Sequence, residues 1–375
     1  MWTLVAARAV QALGAALVMP TSLSLLLAAH PPQRRSHAVG TWASVGAVAA
    51  ALGPPLGGLL VELSWHWVFL VNVPVDATAL VVGLRVLSEP GTARVGVPDV
   101  LGAAGLVVGV GALAYALVRA PDDGWVSAPV LTGAAVAIVG LAWVLRRSRR
   151  HPVPALELDV LQVPVVAAAA LTMAAFATSF AGMLVVNVLF LTGTWGWSEL
   201  LAGLALAPGP LVVVVVARFS GRLAGRFGAG PVALTGAAAF ASGPVWWWLQ
   251  LGTTQDYWAG VLPGQLMTGL GVGLILPTLS ALVGSALPAR QWGSGSSLIN
   301  TARQGGSVLG VALLVSVIGT HTTGHPDELG ALRAGWLLLA ISAVVAAGFA
   351  AVLTVVERRS TRPVAAPEPA TEPAP

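Results

Sequence analysis

Residues 163–191 read VPVVAAAALTMAAFATSFAGMLVVNVLFL, a stretch without a single charged side chain. A helix needs about 20 apolar residues to cross the hydrocarbon core of a bilayer. This stretch exceeds that length, and it is too long and too uniformly apolar for a strand. It therefore predicts a transmembrane helix and sets the class of the chain around it.

The composition extends this conclusion to the whole sequence. Of its 375 residues, 56% are hydrophobic and only 9% are charged, whereas soluble domains carry about 25% charged residues. Cysteine is absent, which excludes disulfides, thiolate zinc sites and cysteine nucleophiles. The predicted fold class is an all-α polytopic membrane protein built of helical bundles.

Ten further stretches have the same character, so we predict about eleven transmembrane helices. The predicted spans cover residues 2–29, 39–62, 68–87, 100–118, 127–145, 163–191, 199–217, 230–251, 258–286, 296–319 and 334–356. All 19 basic residues are arginine, and most lie in alternate gaps, such as residues 146–150. Because basic residues accumulate in cytoplasmic gaps, we expect a multi-pass protein of the cell inner (plasma) membrane with a cytoplasmic C-terminus.

The tryptophans mark the opposite, outer surface. Several of the 14 tryptophans, including Trp65, Trp125 and Trp195, lie in the arginine-poor gaps. Amphipathic rings favour the headgroup level, so we interpret most of them as interfacial anchors, together with Trp336 and the cluster at residues 246–248. The net charge of +4 then reflects orientation in the membrane, and no nucleic-acid partner is expected.

Glycine and proline interrupt the second predicted span. The residues concerned are Gly46, Gly53, Pro54, Gly57 and Gly58. Small residues allow helices to approach closely, and proline disturbs the helical hydrogen bonding. The segment suits a packed, bending helix between moving parts, although ordinary packing of small residues explains it equally well.

The first predicted span contains Arg8 and Gln11. A charged arginine within hydrocarbon costs at least about 2.5–3.5 kcal/mol, so it needs an acceptor, water or a function. One hypothesis is that both residues belong to a proton-linked polar network. The alternative is that Arg8, about 9 Å from Trp2 along the helix, reaches back to the outer surface.

Two further motifs are predicted in turns. Residues 65–74, WHWVFLVNVP, form an outer turn that opens the third span. Residues 221–228, GRLAGRFG, are predicted to fill a cytoplasmic turn. In this turn the glycines permit tight bending and the arginines cap helix C-termini or pair with acids. The residues singled out are Gly221, Arg222, Arg226 and Gly228, and an ordinary positive-inside loop is the alternative.

Together and in this order, these segments resemble the major facilitator superfamily, and most closely its 14-spanner branch of drug:proton antiporters. Residues 8–12 look like the family's fourth-helix Arg-x-x-Gln-Gly motif, and residues 46–58 look like its antiporter GP motif. Residues 65–74 are similar to its Trp-Arg-Trp…Asn-x-Pro turn, and residues 221–228 to its second-half Gly-Arg loop. Residues 293–310 resemble its thirteenth helix.

Three departures from the family pattern matter. Ala12 stands where the motif usually has Gly, and His66 stands where it usually has Arg. Three helices also lack a counterpart, because the first predicted span matches the family's fourth helix. We therefore expect either a native start upstream of Met1 or a fragment of a longer gene.

The resemblance implies a domain organisation. We expect the remainder of an N-terminal helical bundle, with three spans, over residues 1–95. Two linker spans follow over residues 96–150, and a C-terminal six-helix bundle covers residues 151–356. Residues 357–375, rich in Pro, Ala and Glu, are expected to form a disordered cytoplasmic tail.

The function implied by the resemblance is export of small lipophilic compounds, such as drugs or antibiotics, by proton antiport with alternating access. The expected partners are that substrate, protons and the lipid bilayer, with the protein as a monomer. A non-transporting, truncated remnant of such a transporter is an alternative because of the missing helices. A channel is a weaker alternative, since it requires a polar ring or filter that the sequence does not contain.

Proton coupling requires a group that titrates inside the membrane, usually Asp, Glu or His. We expect none of the 15 acids or 6 histidines to lie at mid-membrane. Asp76 and Glu62 are expected near outer span ends and are weaker coupling candidates than Arg8. Arg303, in the tenth span, is expected to bridge helices or assist the gate. The resemblance implies an acid in the family's first helix, which has no counterpart in this sequence.

By resemblance, the first, sixth and ninth predicted spans line a substrate cavity. The candidate contacts are Thr172, Met173, Asn187 and Gln265, and for each of them helix packing is the alternative. A mainly apolar cavity suits lipophilic molecules. No enzyme is expected, because the glycines of residues 269–273 lie in an apolar span without a preceding strand. The sequence also predicts no metal or cofactor.

Overall fold

The computed structural model describes residues 2–31, 45–46, 49, 52–53, 55–86, 99–288, 291–319 and 328–360. Within these ranges every regular element is a helix, and no β-strand occurs. The prediction of an all-α fold is therefore confirmed.

The helices follow one another with short connections. In chain order they are α1 (Trp2–Ala29), α2 (residues 55–63), α3 (Trp67–Leu70), α4 (Asn72–Val86), α5 (Val100–Asp123), α6 (Ala128–Ser148), α7 (Pro164–Leu189), α8 (Glu199–Leu206), α9 (Pro208–Phe227), α10 (Ala229–Gln250), α11 (Leu262–Ala286), α12 (Trp292–Ile318) and α13 (Glu328–Ser360). A 3₁₀ turn precedes α7, and π-helical turns follow α7 and precede α11.

Eight helical segments of the described residues are long and apolar enough to cross a membrane. They are Trp67–Val86, Val100–Asp123, Ala128–Ser148, Pro164–Thr194, Glu199–Phe227, Tyr257–Ala286, Trp292–Ile318 and Glu328–Ser360. Helices α1 and α10 cover two more predicted spans, residues 2–29 and 230–251. The remaining predicted span, residues 39–62, lies partly outside the described residues, and α2 covers its end.

Helix α5 extends to Asp123, beyond its predicted end at residue 118. The helix continues through Pro121, and Arg119 forms an ion pair with Asp123 one turn later, at 3.6 Å. Gly124 then ends the helix with a φ of 88°, a conformation that favours glycine. Hydropathy missed this last turn because its charged residues look like a gap between spans.

One hydrophobic core joins α7 and the helices that follow it. Helix α7 packs against α12 and α13, and α10 packs against α11 and α13. Gly306 and Gly310 of α12 lie directly against the backbone carbonyls of Ala174 and Thr178 on α7. A Cβ at either glycine would overlap those carbonyls, so the missing side chains set the close approach of the two helices.

Helices α5 and α6 form a pair with a small core of their own. Gly105 of α5 lies against the ring of Trp143 on α6, and Gly109 lies against Leu141 one turn along. Helix α5 also packs against α12, which connects the pair to the larger core.

Three tryptophans predicted to anchor the protein at the membrane surface are instead buried inside the protein. Each donates its indole N–H to another part of the chain. They are Trp195, Trp247 and Trp336, which donate to the carbonyl of Gly252, the carbonyl of Val261 and Oδ1 of Asn187. The interfacial prediction is wrong for these three, since all are buried. Trp65 and Trp125 are exposed, as expected of anchors.

The predicted C-terminal tail begins too early, because residues 357–360 form the last turn of α13. Glu357 accepts hydrogen bonds from the backbone N–H groups of Ala229 (2.9 Å) and Gly230 (2.6 Å) at the start of α10. A carboxylate at a helix N-terminus is favourable, because it meets unpaired N–H donors and the positive end of the helix dipole. The rest of the predicted tail, residues 361–375, lies outside the described residues.

Candidate functional site

The two polar residues of α1 contact each other and the outer turn. Nη1 of Arg8 donates a 2.6 Å hydrogen bond to Oε1 of Gln11. The guanidinium carbon of Arg8 lies 4.2 Å from the centroid of the Phe69 ring on α3. An amide oxygen and an aromatic face are both favourable surroundings for this cation. Arg8 therefore contacts Gln11 and also touches a second predicted motif, and a proton-linked network of these residues stays a prediction.

Asp76 lies deeper than the sequence predicted. The membrane-crossing segment Trp67–Val86 has 20 residues, and Asp76 falls at its middle. With a rise of 1.5 Å per residue, Asp76 is about 14 Å from Trp67 along the axis. The expectation that Asp76 lies near the outer end does not hold for this segment, and the predicted bounds, residues 68–87, already put Asp76 near the middle. Among the described residues it is the one carboxylate at the centre of such a segment.

Arg8 and Asp76 are not brought together. Arg8 contacts Phe69, which precedes Asp76 by about 10 Å of helix. Neither residue takes part in an ion pair within the part of the chain that the structure describes. The level of Phe69 is close to that of Trp67, so the contact fits the predicted position of Arg8 in the outer third of the membrane.

Glu62 and His66, which flank the same outer turn, are exposed. Glu62 lies at the end of α2, as predicted. His66 stacks on the ring of Trp65, with ring centroids 3.8 Å apart, and its Nδ1 lies 2.9 Å from Oγ of Ser64. The contacts of His66 with Trp65 and Ser64 order the outer turn. Of the two coupling candidates with a carboxylate, Glu62 and Asp76, Asp76 is the one within a membrane-crossing segment.

One glycine of the glycine- and proline-rich motif makes a close contact between α2 and α8. Gly58 on α2 is buried against the backbone carbonyl of Glu199 at the start of α8, and a Cβ would overlap that carbonyl. Beside Gly46, Gly53 and Gly57 the described structure leaves open space. The contact between α2 and the C-terminal bundle therefore depends on Gly58. Pro54 lies outside the described residues.

The four predicted substrate contacts are all buried within the bundle. Thr172 donates to the carbonyl of Ala168 at 2.8 Å, and Met173 belongs to the core. Oε1 of Gln265 lies next to Gly209 of α9. In this conformation all three contact other parts of the bundle.

Asn187 differs from the other three candidates. Its Oδ1 accepts a 3.0 Å hydrogen bond from Nε1 of Trp336, but its Nδ2 is buried with no partner among the described residues. A buried polar group without a partner is costly, by about 1–3 kcal/mol. Asn187 is therefore a predicted contact that keeps a fully buried donor without a partner among the described residues.

Arg303 pairs within its own helix. Its Nη2 donates a 3.0 Å hydrogen bond to Oδ1 of Asn300, and its backbone carbonyl accepts from Oγ of Ser307. The side chain is half-buried. A role for Arg303 in bridging helices or in the gate remains a prediction.

The Gly-Arg motif is helical rather than a turn. Gly221, Arg222 and Arg226 lie on the last turns of α9, and only Gly228 leaves the helix, with a φ of 93°. Open space lies beside Gly221, so no close contact requires glycine there. The prediction of a turn is wrong except at Gly228. Hydropathy ended the span at residue 217, because the arginines look like a loop.

Sequence analysis did not predict the ion pair that Arg147 of α6 makes with Asp99, the N-cap of α5. Oδ1 of Asp99 also accepts from the backbone N–H of Gly102 at 2.8 Å. Burial opposes ionisation of Asp99, but the Arg147 guanidinium and the Gly102 N–H outweigh it, so the pKa of the carboxyl lies below its ordinary value. An acid before a span and an arginine in the adjacent gap were the available signal.

Comparison with known protein families identifies one family for this chain. A family model of the Major Facilitator Superfamily matches residues 1–189 and 169–374. These matches include every motif on which the family resemblance rests.

Three relatives carry names that refer to drug resistance or export. The Mycobacterium tuberculosis multidrug resistance protein Stp is 33% identical over 84% of this chain and 58% of its own length. The Bacillus subtilis methylenomycin A resistance protein is 32% identical over 85% of the chain and 69% of its own length. The Streptomyces glaucescens tetracenomycin C resistance and export protein is 31% identical over 82% of the chain and 57% of its own length. The chain thus spans little more than half the length of two of these relatives.

Proposed function

Because this chain belongs to the Major Facilitator Superfamily, a family of transporters rather than enzymes, we propose that it exports small lipophilic compounds by proton antiport with alternating access. The names of the relatives, which refer to resistance and export, support the substrate class. The arginine distribution supports insertion in the plasma membrane with a cytoplasmic C-terminus. We expect the transporter to act as a monomer.

The position of Asp76 is the observation that carries the coupling part of this proposal. A charged carboxylate about 14 Å inside a span is unfavourable unless it faces water or a partner. Taking up a proton removes that penalty, so the protonation state of Asp76 biases which side of the membrane the span faces. Proton movement is then coupled to the conformational change.

The contact between Gly58 and Glu199 supports alternating access. In family transporters of this kind, two helical bundles rock against each other around a site near the midplane. Such movement needs a contact between the two parts that packs closely in one state and separates in the other. The close packing of α2 on α8, where backbone meets backbone with no side chain between them, supports this proposal.

Asn187 supports a substrate that is mainly apolar and carries a hydrogen-bond acceptor. The residues around it are hydrophobic, and its Nδ2 has no partner in the described structure. A pocket with few polar groups suits lipophilic molecules, and one fixed donor orients them. We propose that Nδ2 of Asn187 donates to the substrate when the bundle opens.

Export from an efflux-deficient host tests this proposal directly. The chain is expressed with a C-terminal reporter, and everted membrane vesicles are loaded with a lipophilic fluorescent dye under an imposed proton gradient. We expect dye accumulation that stops when the gradient is collapsed. Asp76→Asn should reduce accumulation by about tenfold or more, and Glu157→Gln, which changes an exposed acid before α7, should not.

The outcomes separate the parts of the proposal. Full accumulation by Asp76→Asn would contradict the coupling role of that residue. Accumulation that is independent of the gradient would contradict antiport. If the 375-residue chain inserts normally but accumulates no dye, the chain does not transport, and the non-transporting alternative is correct.

A further inference from the structure

An open depression of about 270 Å³ lies at the C-terminal end of α6. Its lining residues are mostly basic or aromatic and come from the end of the helix and the following turn. They are Trp143, Arg146, Arg147, Arg150, His151 and Pro152. None of them belongs to the motifs on which the transport proposal rests.

The spacing of these residues concentrates positive charge near the end of α6. Arg146 and Arg147 lie three and four residues after Trp143, which places them on the same helix face as its ring, and Arg150 follows in the turn after the helix. Arg146 and Arg150 are exposed. Arg147 is neutralised by Asp99, which is itself buried. No carboxylate among the described residues pairs with Arg146 or Arg150, so these two cations dominate the depression.

Trp143 adds an apolar wall at the membrane surface. Its ring is 42% exposed, and the guanidinium carbon of Arg147 lies 5.6 Å from its centroid. The helix leading to it presents exposed apolar side chains, including Val136 and Val139. Apolar residues below a tryptophan and arginines above it match the order of acyl chain, interface and headgroup in a bilayer.

We propose that this depression binds the phosphate group of an anionic phospholipid in the cytoplasmic leaflet. The guanidinium groups of Arg146 and Arg150 donate to the phosphate oxygens, and guanidinium is well suited to this geometry. Trp143 and the apolar face of α6 contact the glycerol and the start of the acyl chains. The apolar wall favours a lipid over free phosphate, which has nothing to place against it.

The Arg147–Asp99 pair fixes part of the wall of the depression. Nε of Arg147 donates to Oδ1 of Asp99 at the start of α5, and Arg147 itself lines the depression. The backbone of the turn is held as well, since the N–H groups of Arg150 and His151 both donate to the carbonyl of Arg147. The depression is therefore built by contacts that exist without the ligand. The arginine distribution places the end of α6 on the cytoplasmic side, and the lipid site lies in the cytoplasmic leaflet on that basis.

Native mass spectrometry of the full chain tests this site. The protein is purified in detergent, stripped of lipid, and incubated with dioleoylphosphatidylglycerol or dioleoylphosphatidylcholine. We expect one retained phosphatidylglycerol and no comparable phosphatidylcholine signal. The variant Arg146→Gln/Arg150→Gln should lose about 1.4 kcal/mol or more of binding, a tenfold weaker apparent affinity. The variant Arg358→Gln/Arg359→Gln, which removes two charges from the end of α13, should bind as the wild type does.

Three results would overturn the proposal. One is equal retention of the two lipids, which would indicate that charge does not select the ligand. Another is unchanged phosphatidylglycerol binding by the Arg146/Arg150 variant. The third is competition by inorganic phosphate at the concentration at which the lipid binds, which would identify an anion site that does not use the lipid. Trp143→Ala provides a second arm, because only a lipid site should weaken when that wall is removed.

Discussion

Nε1 of Trp336 on α13 donates a 3.0 Å hydrogen bond to Oδ1 of Asn187 on α7, and both side chains are buried in the bundle. The Trp336 ring also packs edge-on against Phe190, with centroids 5.0 Å apart. One indole therefore fixes two helices by a polar and an aromatic contact. The same asparagine is the proposed substrate donor, so its orientation depends on Trp336.

Replacing Trp336 by Phe should destabilise the bundle. The change leaves Oδ1 of Asn187 buried without its donor and opens space beside Phe190. A buried polar group left without a partner costs about 1–3 kcal/mol. We expect a lower unfolding temperature in detergent, measured by scanning fluorimetry. Trp258→Phe, at a position 76% exposed, is the control and should change little. Equal shifts for the two variants would show that the Asn187 bond does not contribute.

Replacing Gly58 by Ala should impair export while leaving insertion intact. The new Cβ would overlap the carbonyl of Glu199, so α2 and α8 must move apart. Gly57→Ala is a matched control on the same helix, because open space lies beside Gly57. We expect dye accumulation to fall by about tenfold in the first variant and to stay near wild type in the second. Similar accumulation by both variants would contradict a role for the α2–α8 contact.

Replacing Arg8 by Ala distinguishes the polar network from simple anchoring. The change removes the contacts with Gln11 and Phe69. If Arg8 belongs to the proton-linked network, dye accumulation should be lost while reporter fluorescence shows normal insertion. Arg119→Ala, which removes a paired arginine at the outer end of α5, is the control. Unchanged export by Arg8→Ala would favour a side chain that merely reaches the outer surface.

Acid should weaken the junction between α5 and α6. The Arg147 guanidinium holds the pKa of the Asp99 carboxyl below its ordinary value of 3.8. The resulting stabilisation is fully present above the unfolded-state pKa and is lost as the pH falls through the lower, folded-state pKa. We therefore expect the wild type to have a larger free energy of unfolding than Asp99→Asn at pH 7. This difference between the two proteins should shrink below about pH 4. A constant difference across that range would show that ionisation of Asp99 is not involved.

Hydropathy predicted most of this fold because a bilayer imposes a simple requirement. Each apolar run had to become a helix, since lipid offers no partner for backbone N–H and C=O groups. The starts of α1, α5 and α10 accordingly fall within one residue of prediction. The ends of α5 and α9 were missed because charged residues extend these helices beyond the apolar run.

Contacts between distant parts of the chain could not be predicted in this way. The tryptophans show why, because Trp195 and Trp125 lie in similar gaps, yet one is buried and the other exposed. What separates them is a partner, the Gly252 carbonyl, which lies on another segment. Likewise, Gly58 and Gly57 are adjacent in sequence, and only tertiary packing reveals which of them is confined.

The carboxylate of Glu357 connects the end of α13 to the first turn of α10. Replacing it by Gln keeps the size but removes the charge that meets the N–H groups of Ala229 and Gly230. Charge-assisted bonds at a helix N-terminus are worth more than neutral ones, so these amides should open more often in Glu357→Gln. Hydrogen–deuterium exchange should rise in peptides covering residues 229–232. Glu157→Gln, at an exposed acid before α7, should leave that exchange unchanged. If Glu357→Gln does the same, the first turn of α10 is held by packing rather than by this carboxylate.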